Sequence, residues 1–249
     1  MLAEMIEYLL TPCPPEARKL GYLKEAVAIR ARHRRCRQAW REHLTRCRAA
    51  IVEAAKTSPG RGTALVLGSG ALLDIPLEVL AGIFDTVVLA DIVHPLGARL
   101  KARALPGVRL DTADLTGTLG AVSRGILPDL APIKRYLDLS PDFTVSANIL
   151  SQLPLIPARA LNRTGCCPRE RVQAFSTGVQ REHLAWLERF PGVKLLITDT
   201  AWRDGPDVAD PLHGLTLPPA WRSWTWNIAP RPEAHRDRDV IHEVSAFLM

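Results

Sequence analysis

Five short apolar runs separated by helix-length segments constrain this chain more than any other feature. Thr63–Leu67 ends at Gly68-Ser69-Gly70, Thr86–Ala90 ends at Asp91, and Val108–Leu110 is followed by Asp111. Asp142–Ser146 and Val193–Thr198 are the fourth and fifth runs, the last ending at Asp199. Near-continuous apolar strands alternating with helices predict a mostly parallel sheet covered on both faces, an α/β fold. The spacing predicts one helix from about Leu72 to Ala81 and another over Val172 to Phe190. The tail departs from the alternation. Trp221, Trp224 and Trp226 lead into Asn227-Ile-Ala229, then a polar turn, then Val240–Phe247, which predicts two antiparallel strands without a crossover helix.

Charge divides the chain near Thr57–Gly62, a Gly/Pro-marked connector. Residues 1–56 hold twelve Lys/Arg against six acids, the whole of the net +6, and the remainder is balanced at twenty of each. The first segment, 1–58, is expected to form two or three helices. Leu20, Leu23 and Val27, then Trp40, Leu44, Cys47 and Ile51, make apolar stripes, opposed by Arg-rich faces. Residues 59–249 form the α/β unit. Five cysteines without a Cys-x-x-Cys pair give neither a disulfide framework nor a zinc spacing, so no metal is expected. No uncharged run is long enough to span a membrane, and Glu4 and Glu7 interrupt the apolar start, unlike a signal peptide. A cytoplasmic protein is the expectation.

In a parallel sheet, ligands sit at the carboxyl ends of the strands, where Gly68, Asp91, Asp114 and Ser146 should converge. Gly68-Ser69-Gly70 lets backbone approach a ligand closely, and Asp91, 21 residues past Gly70, can accept hydrogen bonds from both hydroxyls of a ribose. A dinucleotide fingerprint wants glycine at position 73, which is Leu73.

Leu65-Val-Leu-Gly-Ser-Gly-Ala-Leu-Leu-Asp74 and Val87-Val-Leu-Ala-Asp-Ile92 instead resemble the first two motifs of the class I S-adenosylmethionine-dependent methyltransferases. Phe143–Pro154, a strand running into Asn-x-Leu-x-x-Leu-Pro, is similar to their fourth. The resemblance covers about residues 60–249, with departures: Val66-Leu67 replaces an acid, Leu72 a third glycine, and Ser151-Gln152 a frequent His or Glu-His. It implies a three-layer Rossmann-like fold with a mostly parallel seven-stranded sheet, an antiparallel C-terminal hairpin and an N-terminal helical extension. It further implies S-adenosyl-L-methionine as cofactor and methyl transfer to a small-molecule or metabolite acceptor. Gly68, Ser69 and Gly70 would pass beside the methionyl part, Asp91 would take the ribose, and Ile92 would flank the adenine. Asp114 and Leu115 would meet the adenine edge, with Ser146 at the strand end and Asn148 near the sulfonium.

Beyond the cofactor, Asn148 could orient an acceptor amine or hydroxyl, or cap the next helix. His213, in the Gly/Pro/Asp-rich segment Trp202–Pro219, is a candidate substrate ligand or base against the plainer role of a loop histidine. Trp226, sharing a strand face with Trp224, could wall a planar or cationic substrate or pack the core. His94 is expected to cap or line its loop, His183 to lie on a helix surface, and Cys166-Cys167 to have no role. The run Arg30–Arg37 could face nucleic acid, an anionic substrate, or simply solvent; few aromatics accompany it for base stacking. A catalytically silent methyltransferase-fold protein that binds a partner or nucleic acid through these helices is the alternative function. A nicotinamide-dependent oxidoreductase is disfavoured by Leu73 and the hairpin.

Overall fold

In the computed structural model, which describes residues 2–249, the chain begins with helices α1 (Leu2–Leu10), α2 (Pro15–Leu20), α3 (Tyr22–Arg35) and α4 (Arg37–Thr57). It continues through β1 (Thr63–Leu67), α5 (Leu77–Ile83), β2 (Thr86–Asp91), α6 (Leu96–Arg103), β3 (Val108–Thr112), α7 (Leu119–Ser123) and β4 (Phe143–Ala147). Then come α8 (Leu155–Thr164), α9 (Arg169–Glu188), β5 (Val193–Asp204), β6 (Asp207–Ala209), β7 (Arg222–Ala229) and β8 (Val240–Leu248). The sheet order is β3-β2-β1-β4-β5-β8-β7, with the three-residue β6 paired to the far end of β5. β1 to β5 are mutually parallel, and β8 lies antiparallel between β5 and β7. Seven strands form the continuous path, as expected; β6 adds a short eighth.

Alternation along the strands explains the three layers. Ala64, Val66, Val145 and Ala147 face one way and join Trp40, Cys47, Ile51 and Ala54 of α4 and Leu77 and Leu80 of α5 in one core. Leu65, Leu67 and Leu196 face the other way, against Trp186 and Leu187 of α9. Both faces are apolar because both are covered, which is why the strands read as unbroken hydrophobic runs.

Several expectations change. The basic segment forms four helices, and α4 is a layer of the sandwich, packed on β5 and β7. The break at residues 57–62 thus divides charge, while the core runs across it. The helix expected from Leu72 starts only at Leu77. Leu72 has φ 58, a left-handed turn incompatible with a helix running straight on from the glycines. β5 runs on to Asp204 and turns into β6, so part of the long segment after it is a hairpin. His183 is fully buried beneath the sheet.

Candidate active site

β1 is followed in sequence and space by β2 and β3 on one side, and the chain returns on the other side with β4. Where two crossovers leave in opposite directions, a crevice opens at the carboxyl ends of the strands. It holds a cavity of about 330 Å³, lined by Gly68, Ser69 and Gly70 after β1 and by Asp91, Ile92 and Val93 at the end of β2. Ala113–Thr116 after β3 and Ala147, Asn148 and Ile149 after β4 complete the floor.

The glycine turn is fixed by close packing. Gly68 has φ +82, and a Cβ there would collide with the Ile149 side chain and the Ala147 carbonyl. The Gly68 and Ser69 amides donate to the Ala90 carbonyl, the Gly70 amide donates to Asp91 Oδ2 at 2.8 Å, and Val93 N–H reaches Asp91 Oδ1 at 3.3 Å. Ser69 Oγ lies 3.0 Å from the buried His94 Nε2, so His94 braces the loop from behind. Burial raises the Asp91 carboxyl to about 6 despite its three backbone donors, at Val93, Gly70 and Ile92. Asp114 is committed to its own turn: Oδ1 accepts from the Thr116 amide and hydroxyl, and Oδ2 from the Leu119 amide.

The basic N-terminal helices supply the roof and one wall. Tyr22, Glu25, Ala26 and Ile29 of α3 face the cavity, with Leu23 and Val27 packed on Val93 behind them. From α4 come Trp40, His43 and Leu44, and from β7 comes Trp226. His43 stacks on Trp226 with ring centroids 4.0 Å apart and planes 5° off parallel. Trp40 meets Trp226 edge-on at 4.8 Å and donates from Nε1 to the Ile228 carbonyl. Trp224 Nε1 donates to His43 Nδ1 at 3.0 Å, which leaves the imidazole proton on Nε2. Burial holds His43 neutral, its pKa pushed down to about 3.

Beside this wall, Asn148 Nδ2 donates to Asp74 Oδ2 at 2.5 Å and reaches Cys47 Sγ at 3.5 Å. Asn148 has φ 53, so the turn after β4 leaves the strand direction sharply and carries the carboxamide to the cavity wall. Desolvation raises the Asp74 carboxyl above its ordinary value, offset in part by Asn148.

Of the residues singled out from sequence, Gly68, Ser69, Gly70, Asp91, Ile92, Asp114, Leu115, Asn148 and Trp226 all line the cavity. Two do not. Ser146 points to the other face of the sheet, its Oγ 2.8 Å from His183 Nε2, because only odd positions of β4 face α4. His213 is exposed; its neighbours Leu212, Leu215 and Leu217 pack into the α9-side core and hold the loop there. Tyr22, Trp40, His43 and Asp74 were not foreseen. Asp74 closes the glycine-loop motif, but its meeting with Asn148 spans 74 positions and has no local signal.

Among the described residues, no group of three His, Cys, Asp or Glu could hold a metal ion, and no helix is long and apolar enough to cross a membrane. No protein-family profile matches the sequence, and no curated protein matches it. The chain is similar to solved structures at low identity. N-methyltransferase NodS from Bradyrhizobium japonicum WM9, in complex with S-adenosyl-L-homocysteine, is 12% identical, with 84% of this chain and 87% of that chain covered and a TM-score of 0.40. A DhpI–SAH complex is 16% identical over 88% and 93% of the two chains, with a TM-score of 0.40. The 1,6-didemethyltoxoflavin-N1-methyltransferase of Burkholderia thailandensis is 16% identical over 90% and 89%, with a TM-score of 0.37. Independently of these likenesses, the parallel sheet closed by an antiparallel β7–β8 pair gives the chain the three-layer Rossmann-like α/β fold with an N-terminal helical extension.

Proposed function

We propose that this protein is an S-adenosylmethionine-dependent methyltransferase acting on a small-molecule acceptor held between the glycine turn and the α3–α4 roof. The observation that carries this reading is the Gly68–Gly70 turn tied to Asp91 at the crevice between β1 and β4. Only glycine fits at position 68, because a Cβ there would collide with Ile149 and the Ala147 carbonyl, and this lets the turn follow its course along the crevice floor. The residues fit the cofactor: a carboxylate at the end of β2 for two ribose hydroxyls, and apolar Ile92 and Leu115 on the same cavity for adenine. When bound, S-adenosylmethionine supplies a methyl group on a sulfonium that is already strongly electrophilic.

What remains for the protein is alignment and exclusion of water. Asp91 anchors the ribose, and its hydrogen bond to Gly70 couples that anchor to the turn. Tyr22 and Ile29 cover the crevice from α3. Asn148, held by Asp74, stands at the cavity wall as the group that orients the acceptor. Asp114 acts through the turn it ties, which presents Leu115 to the cavity.

Calorimetry separates this reading from an oxidoreductase one. Saturable binding of S-adenosylmethionine and S-adenosylhomocysteine, without binding of a nicotinamide dinucleotide, is expected. The reverse pattern would sink the proposal.

A further inference from the structure

The cavity has a different charge from the helices that roof it. None of the arginines between Arg30 and Arg37 lines it. Arg30 and Arg34 pair with Glu7, and Arg32 and Arg35 with Glu233. The lining carries the carboxylates of Glu25, Asp74, Asp91 and Asp114; the one guanidinium among the described lining residues, Arg159, is spent on Glu25 at 2.7 Å. Asp91 and Asp114 each receive backbone amides on both oxygens. Asp74 differs in being held by a side chain, the Asn148 carboxamide on Oδ2, while the guanidinium of Arg48, near enough to act on its charge, donates to the Leu73 carbonyl. This desolvated carboxylate, which forms no ion pair among the described residues, lines the same cavity as Trp40, His43 and Trp226. Carboxylate and ring faces together attract a cation and repel an anion.

We propose that the acceptor is a nitrogen base, an aliphatic amine carried on an aromatic ring, that enters as its cation, pairs with Asp74 and lies against Trp226 and His43. This deepens the methyltransferase reading and rests on it. Asp74 takes one proton from the ammonium, freeing the nitrogen lone pair. The nitrogen then forms its bond to the methyl carbon as the carbon–sulfur bond breaks, and that electron pair stays on sulfur as a neutral thioether. The methylated nitrogen carries the positive charge, and Asp74 returns its proton to solvent as the product leaves. An anionic acceptor, which the Arg-rich helices suggested from sequence, would meet carboxylates here.

The test begins with calorimetry of the full chain with S-adenosylhomocysteine. Failure to bind overturns the methyltransferase reading, and this one with it, before any amine is added. The saturated protein is then titrated with two matched pairs, benzylamine against phenylacetate and tryptamine against indole-3-propionate. At least one amine is expected to bind about tenfold or more tighter than its carboxylate partner. Asp74→Asn, checked for an unchanged melting temperature, should weaken that amine by about tenfold and change S-adenosylhomocysteine affinity by less than about threefold. Carboxylates binding as tightly as amines, or no amine binding at millimolar concentration, would overturn the proposal. So would an Asp74→Asn variant that loses S-adenosylhomocysteine as strongly as amine, which would give Asp74 to the cofactor. The comparison of matched pairs on the wild-type protein stands even if the variant does not fold.

Discussion

Leu72 holds a left-handed backbone conformation, φ 58, that costs a side-chain-bearing residue about 1–2 kcal/mol. Its side chain is 3% exposed within the α4–α5 core, and burying a leucine there outweighs the strain. Leu72→Gly is therefore expected to lower stability by roughly 1–3 kcal/mol by denaturant titration, despite relieving the backbone. A stabilised variant would show that the side chain contributes little. The missing third glycine in the sequence is thus met by a leucine in a glycine's conformation, which composition alone could not reveal. The position of Asp91 was legible because its distance from Gly70 follows from one strand–turn–helix–strand unit. On the proposed assignment of Asp91 to the ribose, Asp91→Ala should weaken S-adenosylhomocysteine about 100-fold, as two lost hydrogen bonds to a charged group imply. Unchanged affinity would move the ribose elsewhere. Trp226 packs the core and also lines the cavity.

Helix α4 belongs to the sheet's own core, a partnership its sequence pattern does not encode. Trp40, Leu44, Cys47 and Ile51 were legible as one helical stripe, but a stripe does not name its partner. The Arg-rich opposite face suggested a separate cap, whereas Ile51 and Ala54 are completely buried in the core shared with β1 and β4. Ile51→Ala should cost about 2–5 kcal/mol and lower the melting temperature of the whole domain in a single transition. A second transition leaving the sheet unaffected would mean that α4 folds apart from it. α3 is different: Leu23 and Val27 pack mainly on Val93 and on Tyr8 of α1, a small cluster that holds the roof over the site. Arg30, Arg32, Arg34 and Arg35 pair with Glu7 and Glu233, so the charge that dominates the sequence is directed away from the cavity.

The whole molecule carries three buried neutral histidines, His43, His94 and His183, pushed down to about 3, 4 and 4 by desolvation. Each binds a proton more readily unfolded, near pH 6.5, so stability falls as pH drops below that value. Asp91, raised to about 6, acts in the opposite direction, because the folded carboxyl holds its proton to higher pH, and Asp74 shares that sign. Three groups against two leave a net loss of roughly a few kcal/mol between pH 7 and pH 5. Thermal melts across that window should show the midpoint falling with acid; a rising midpoint would contradict the burial of these histidines. The parallel sheet and closing hairpin were legible from strand length and turn chemistry, which are local. The cavity wall of Trp40, His43, Asp74, Asn148 and Trp226 was not, because it joins α4, the turn after β1, the turn after β4, and β7 across most of the chain. A crystal structure grown with S-adenosylhomocysteine decides whether the Gly68–Asp91 crevice holds the cofactor. Density should place the ribose hydroxyls about 2.6–3.0 Å from the Asp91 carboxylate, with the thioether sulfur facing Asn148. Ligand bound away from the Gly68–Asp91 crevice would contradict it.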